Sequence, residues 1–118
     1  GKLIKKGNFI KAKHASTGFM MIKKNIVDKL YTTYKDLEII TDDLNNNDNT
    51  MIGLFCCMIK NKTYLSEDYS FCERVHEIGG EIWINIEHNL SHIGKYIFKG
   101  DIQNRKNIVR SESERIFY

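Results

Sequence analysis

The sequence predicts a small domain of mixed α and β structure, and three observations support this fold class. A Gly7-Asn8 pair between two strand-like runs is typical of the two-residue turn of a β-hairpin. Apolar residues recur at helical spacing in residues 22–30 and again in residues 71–78. The apolar run EIWINI at residues 81–86 is typical of an interior strand. The whole chain, 118 residues long, has the length of a single domain.

The first half of the chain predicts a hairpin, a helix, a loop and a second helix. The hairpin covers residues 3–16, and a strand or turn follows it before a helix over about residues 24–31. Residues 41–50 are dense in Asn and Asp and predict a polar loop, which ends at Thr50, a suitable N-cap. The apolar run MIGLFCCMIK at residues 51–60 then predicts a helix buried on more than one side.

The second half centres on a helix with clear start and stop signals. Ser66 is a suitable N-cap, and Glu67 and Asp68 fall in the first turn, where the helix dipole favours negative charge. Paired glycines after the helix provide its C-terminal stop. The charged tail, residues 101–118, is expected to be helical or partly loose, which brings the expected number of helices to about three or four. The apolar stripe of the central helix consists of Phe71, Cys72, Val75 and Ile78.

The composition excludes several classes of protein. The net charge of +3 is mild and the lysines are dispersed, which argues against nucleic-acid binding. No apolar run reaches the ~20 residues of a membrane span. The three cysteines are odd in number and two of them, Cys56 and Cys57, are adjacent; this favours a reducing, cytoplasmic compartment, with both thiols buried as packing. The absence of proline and the excess of Ile, Lys and Asn favour an AT-rich genome, such as that of a virus or a protist, and a viral source would place the protein in a host cytoplasm.

Several acidic and histidine residues are candidates for chemistry, and each also has a structural interpretation. Glu67 and Asp68 either complement the helix dipole or hold a carboxylate that takes a proton from an alcohol. His88 and His92 are four residues apart, a spacing that without an HExxH pattern is weak evidence for zinc. The adjacent acids at 42–43 open an Asn-rich loop, and a solvated turn explains them better than a Mg²⁺ site.

Two segments resemble a known family when they are taken in order. STGFMMIKKNIVDKL at residues 16–30 and YLSEDYSFCERVHEIGGEIWINIEHNLSHIG at residues 64–94 resemble the C-terminal, acceptor-side half of a GT-A fold glycosyltransferase. The resemblance covers about residues 8–100. It implies an inverting enzyme that depends on Mn²⁺ or Mg²⁺ and moves a sugar from a nucleotide-sugar to a hydroxyl acceptor.

The same resemblance implies roles for individual residues. Asp68, with Glu67 beside it, corresponds to the acid that deprotonates the acceptor hydroxyl, and His92 corresponds to a ligand of the divalent metal. Three consecutive residues match the segment that lines the floor between the donor sugar and the acceptor, namely Thr17, Gly18 and Phe19. Trp83 lies on the following strand, where it either contacts substrate or fills the core.

The sequence also departs from the family's pattern. It contains no Gly-rich βαβ unit for the donor nucleotide and no Asp-x-Asp metal motif before residue 17. We therefore expect a partial GT-A subdomain that is inactive alone and self-associates through the sheet edge and apolar surface left exposed. A non-catalytic interaction module that keeps a remnant of the fold is the alternative.

Overall fold

The computed structural model describes residues 3–40, 50–88, 90–95 and 97–99. Within these residues the chain is a mixture of small antiparallel sheets and two α-helices, which confirms the mixed α and β class. It falls into two compact units: residues 11–84 form the first, and the residues up to Ile10 together with those from Asn85 onward form the second. The expected tail helix and most of the polar loop at 41–50 lie outside the described residues.

The predicted N-terminal hairpin is present. Strand β1 (Lys5–Lys6) pairs antiparallel with β2 (Phe9–Ala12), and the pairing of Lys6 with Phe9 leaves Gly7-Asn8 as a two-residue turn. Gly7 has a φ of +54°, a conformation that a residue without a Cβ adopts at little cost. The predicted two-residue turn is therefore confirmed.

The first helix also agrees with the prediction. Helix α1 (Lys24–Thr33) begins where expected and ends two residues later, and its Leu30 is completely buried. A short 3-10 helix (Lys35–Leu37) follows and leads directly into strand β3 (Glu38–Ile40).

The helix predicted over residues 51–60 is wrong, because two separate strands occupy this run. Strand β4 (Thr50–Ile52) pairs with β3, and strand β5 (Met58–Lys60) pairs with β6 (Thr63–Leu65). Thr50 is thus a strand residue and not a helix cap. Asn61 and Lys62 both have positive φ, at +50° and +63°, and form the tight turn between β5 and β6.

The predicted central helix organises the core of the first unit. Helix α2 (Glu67–Glu77) has Ser66 at its N-cap position, and Gly79, with a φ of +80°, follows its C-terminal end. The predicted apolar stripe is buried as a whole, and the ring of Phe55 stacks on Phe71 with a centroid distance of 4.6 Å. The core cluster consists of Leu30, Leu54, Phe71, Cys72, Val75, Ile78 and Ile82.

The strand predicted in EIWINI is present as β7 (Ile82–Asn85), at one end of a three-stranded sheet of order β1-β2-β7 among the described strands. Its apolar character reflects the packing of Ile82 in the core and not a position between two strands. In the second unit, β8 (Ser91–Ile93) pairs antiparallel with β9 (Ile97–Lys99). Neither α-helix of the described chain has the length and apolar character needed to cross a bilayer.

Truncation of the central core residue should destabilise the protein strongly. Phe71 is only 1% exposed, so the Phe71→Ala substitution leaves a cavity and should lower the free energy of unfolding by about 3 kcal/mol. Ile59, which is 77% exposed on β5, is the matched control, and Ile59→Ala should change stability by about 0.5 kcal/mol or less. Urea denaturation measures both values, and equal losses in the two variants would contradict the assignment of the core.

Candidate functional site

Two of the predicted site residues are in direct contact. Asp68 is the second residue of α2 and is half-buried, and Thr17 lies on the segment that follows β2. The backbone N–H of Thr17 donates to Asp68 Oδ1 at 3.1 Å, and the Thr17 hydroxyl donates to the same oxygen. No described residue donates a hydrogen bond to Oδ2 of this carboxylate. One carboxylate oxygen is therefore held by two donors, both of which belong to Thr17.

The contact arises because residues 14–17 run along the first two turns of α2. Ala15 exchanges two hydrogen bonds of 3.5 Å with the Cys72 thiol, through its N–H and its carbonyl. These two small side chains allow the segment to approach the helix closely. His14 Nε2 lies 2.8 Å from Glu73 Oε1, one residue further along the helix. The backbone at Thr17 thereby reaches the N-terminal end of the helix, where Asp68 projects.

The simple capping interpretation does not describe the hydrogen bonds of Asp68. Ser66 occupies the N-cap position but makes no side-chain capping hydrogen bond. Asp68 instead accepts from Thr17, which is 51 residues away in sequence. Glu67 is exposed and keeps the position in the first turn where the dipole favours an acid.

The other predicted substrate-binding residues lie apart from these hydrogen bonds. Gly18 is exposed, and its N–H is 3.4 Å from Ser16 Oγ. Phe19 is 82% exposed, two residues after Thr17. Trp83 is half-buried on β7, and its indole N–H donates to Glu81 Oε2 at 3.0 Å.

The predicted metal ligand belongs to the second unit. His92 lies in β8, and its backbone is paired with that of Phe98. Its side chain lies outside what the structure describes, as do the acids at 42–43. Among the described residues, no group of three or more His, Cys, Asp or Glu side chains could hold a metal ion.

A buried anion that the sequence did not reveal lies next to this site. Glu73 is 8% exposed and accepts from Lys60 Nζ at 2.8 Å as well as pairing with His14. Lys13 Nζ is 3.8 Å away. The hydrogen bond from Lys60, followed by that from His14, lowers the pKa of Glu73 to about 2. Since its partners come from the segment after β2 and from β5, this carboxylate joins three parts of the first unit.

A buried cation holds the turn before β5. Arg74 is 3% exposed, and its Nη1 donates to the carbonyl oxygens of Leu54 and Cys56, each at 2.8 Å. Its guanidinium lies 5.9 Å from the ring centroid of Tyr34. The Tyr34 hydroxyl donates to Glu77 Oε2 at 2.6 Å, and burial and this hydrogen bond raise the pKa of Tyr34 to about 12. The sequence offered no local signal for this cluster because its members come from three separate parts of the chain, namely the end of α1, the turn before β5 and α2.

The cysteines differ from the prediction. Cys56 and Cys57 are exposed free thiols, and the expectation that they pack in the core is wrong because the helix expected around them is a turn and a strand. Cys72 is the buried cysteine, and burial raises the pKa of its thiol. The hydrogen-bonding contact of Cys57 with Tyr64 raises the pKa of that tyrosine.

Comparison of the chain with protein-family models, curated proteins and solved structures finds no match. The resemblance to GT-A glycosyltransferases therefore stays a prediction. What the structure adds is the contact between Thr17 and Asp68, which joins the two motifs on which that prediction depends.

The exposure of the thiols predicts how fast they are alkylated. Iodoacetamide should modify Cys56 and Cys57 in the native protein, whereas Cys72 should react only after unfolding, because its thiol is buried and thiolate formation is disfavoured. Intact-mass spectrometry should show two adducts under native conditions and a third in denaturant. Equal labelling rates for all the cysteines of the native chain would contradict this arrangement.

The Glu73 pairs predict a loss of stability in acid. The pKa of Glu73 falls from 4.5 to about 2 on folding, so the unfolded chain binds more protons in this range. Its contribution is complete above about pH 4.5 and is lost as the pH falls towards about 2. Glu73→Gln should cost about 2 kcal/mol at neutral pH and flatten this dependence.

Denaturant unfolding at several pH values tests this expectation. Glu38→Gln, at an exposed carboxylate on β3, is the control and should leave the acid slope unchanged. Parallel pH profiles for the wild type and Glu73→Gln would show that Glu73 does not link stability to pH.

Proposed function

We propose that this chain forms the acceptor-side part of a metal-dependent, inverting glycosyltransferase that moves a sugar from a nucleotide-sugar to a hydroxyl acceptor. The observation that carries the proposal is the hydrogen-bonded contact of Thr17 with Asp68. The resemblance assigns Asp68 to the acceptor hydroxyl and Thr17, from a separate motif, to the floor between donor sugar and acceptor. A contact over 51 residues of sequence supports that assignment.

Asp68 serves in this proposal as the general base. A carboxylate that takes a proton from a reacting hydroxyl contributes about 10²–10⁴-fold to a rate when it is positioned. Thr17 holds Oδ1 with two donors and fixes the carboxylate plane, and Oδ2 accepts the proton of the acceptor hydroxyl. The deprotonated oxygen forms the bond to the anomeric carbon as the bond to the nucleoside diphosphate breaks. A single displacement of this kind inverts the anomeric configuration.

The frame around Asp68 is suited to this role. Phe71 and Cys72, within one turn of Asp68, are buried in the core and fix the start of the helix. A catalytic side chain on a packed helix is held more precisely than one on a loop. Thr17 gains the same rigidity because Ala15 is bonded to Cys72.

The nucleotide-sugar donor and the divalent metal are part of the proposal because the resemblance implies them. Mn²⁺ or Mg²⁺ would neutralise charge on the departing diphosphate, and His92 is the proposed imidazole ligand. No step described above depends on the ion.

A non-catalytic interaction module is the second candidate, and exposed apolar side chains favour it. Phe19 and Met21 are 82% and 99% exposed on the segment that follows Thr17. Such residues are typical of a surface that another protein or domain covers. Under this alternative the intact protein transfers no sugar, so the assay below separates the two candidates.

Replacement of the proposed base should abolish most of the transfer. In the full-length gene product, Asp68→Asn keeps an acceptor oxygen for Thr17 but cannot take a proton, and kcat should fall by about 100-fold or more. Release of nucleoside diphosphate and the mass of the glycosylated acceptor measure turnover over a panel of nucleotide-sugars with Mn²⁺.

Asp28→Asn is the control for the charge change. Asp28 is an exposed residue of α1 that pairs with Lys24 at 2.7 Å, and its loss should leave kcat unchanged. If Asp68→Asn retains the activity of this control, Asp68 is not the base.

A further inference from the structure

An exposed aromatic ring lies beside the proposed base. Tyr69 follows Asp68 in α2 and is 40% exposed. One face of its ring stacks on the imidazole of His14, with a centroid distance of 4.3 Å and an interplanar angle of 18°. One face is therefore supported by the protein, while much of the residue stays open to solvent.

The support of this ring is itself fixed. His14 Nε2 lies 2.8 Å from Glu73, which is 8% exposed and also bound by Lys60. The imidazole thus cannot turn away from Tyr69 without breaking a buried polar contact. A ring held in this way loses little conformational entropy when a ligand stacks on it.

Tyr69 and Asp68 contact the same short segment. His14 touches Tyr69, and Thr17, three residues later, touches Asp68. Consecutive residues of an α-helix project about 100° apart, so the carboxylate and the ring lie on adjoining sides of the first turn.

We propose that Tyr69 is a stacking platform for a pyranose ring of the acceptor, so that the hydroxyl which Asp68 deprotonates belongs to a sugar. This inference rests on the proposed function and names its acceptor class. A pyranose has an apolar C–H face that fits an aromatic ring and hydroxyls at its edge that fit a carboxylate. The hydroxyl of a serine or threonine side chain has no comparable flat face.

Titration of the chain with simple glycosides tests the inference without donor or metal. Methyl β-D-glucopyranoside and methyl β-D-galactopyranoside should shift the backbone amide resonances of residues 14–17 and 67–70 in ¹H–¹⁵N spectra. Tyr69→Ala should weaken binding of the better glycoside by about fivefold, whereas Tyr69→Phe, which keeps the ring, should retain it. His14→Gln, which keeps a polar partner for Glu73 but removes the stacked ring, should give a smaller loss.

The control is a tyrosine of similar exposure elsewhere. Tyr31 is 47% exposed on α1, and Tyr31→Ala should leave glycoside binding unchanged. The spectra also report folding, and Tyr69→Leu replaces Tyr69→Ala if the latter unfolds. The inference is overturned if Tyr69 and Tyr31 variants bind equally, if the shifts occur elsewhere, or if a seryl peptide shifts residues 67–70 and the glycosides do not.

The outcomes separate this inference from the proposed function. Loss of turnover in Asp68→Asn, together with unchanged glycoside binding in Tyr69→Ala, would remove the sugar platform and keep the transferase. Absence of transfer in the full-length protein, together with Tyr69-dependent glycoside binding, would remove the transferase and leave a carbohydrate-binding surface.

Discussion

The first unit depends on the contact between residues 14–17 and the first two turns of α2. Along this contact, His14 meets Glu73, Ala15 meets Cys72 and Thr17 meets Asp68. The last pairing is possible only because the first two bring the backbone close to the helix. A bulkier residue at position 15 or 72 would separate the two elements and remove both donors from Asp68. Packing and the proposed chemistry therefore share one physical cause.

Glu73 keeps this contact in place against the cost of burying a charge. A buried carboxylate is tolerated only when it is paired and hydrogen-bonded. Here Lys60 and His14 supply those bonds from two sides, and the low pKa of Glu73 measures how strongly they favour the ionised form. The same anion fixes the imidazole under Tyr69. Removal of this anion should therefore disturb the aromatic ring as well as the stability of the fold.

Local signals in the sequence predicted those elements whose cause is local. The Gly7-Asn8 turn, helix α1 and the start and end of α2 follow from turn chemistry and apolar spacing over a few residues. The helix prediction for residues 51–60 is wrong because a short apolar stretch has no period that distinguishes a helix from a strand. The positive φ of Asn61 and Lys62, which closes the β5–β6 hairpin, is a property of the folded backbone that the apolar run does not reveal.

The candidate site shows the same division between local and distant causes. The position of Asp68 in the first turn of a helix could be predicted from SED before an apolar stripe. Its contact with Thr17 was not predicted, because no local rule joins residues 51 positions apart. The Glu73 pairs and the stacked ring of Tyr69 were missed for that reason, since each is created only when distant segments meet.

Different parts of helix α2 serve the fold and the proposed reaction. Its apolar stripe fills the core. Its buried Glu73 accepts a hydrogen bond from Lys60 of β5, and its buried Arg74 donates to a carbonyl in the turn before β5. Its first turn carries the half-buried Asp68 and, next to it, the ring of Tyr69, which is 40% exposed. A rigid helix with one open end can hold a carboxylate and a flat ring in a constant relation while the rest of a substrate varies. The role that we propose for the start of α2 depends on this constancy.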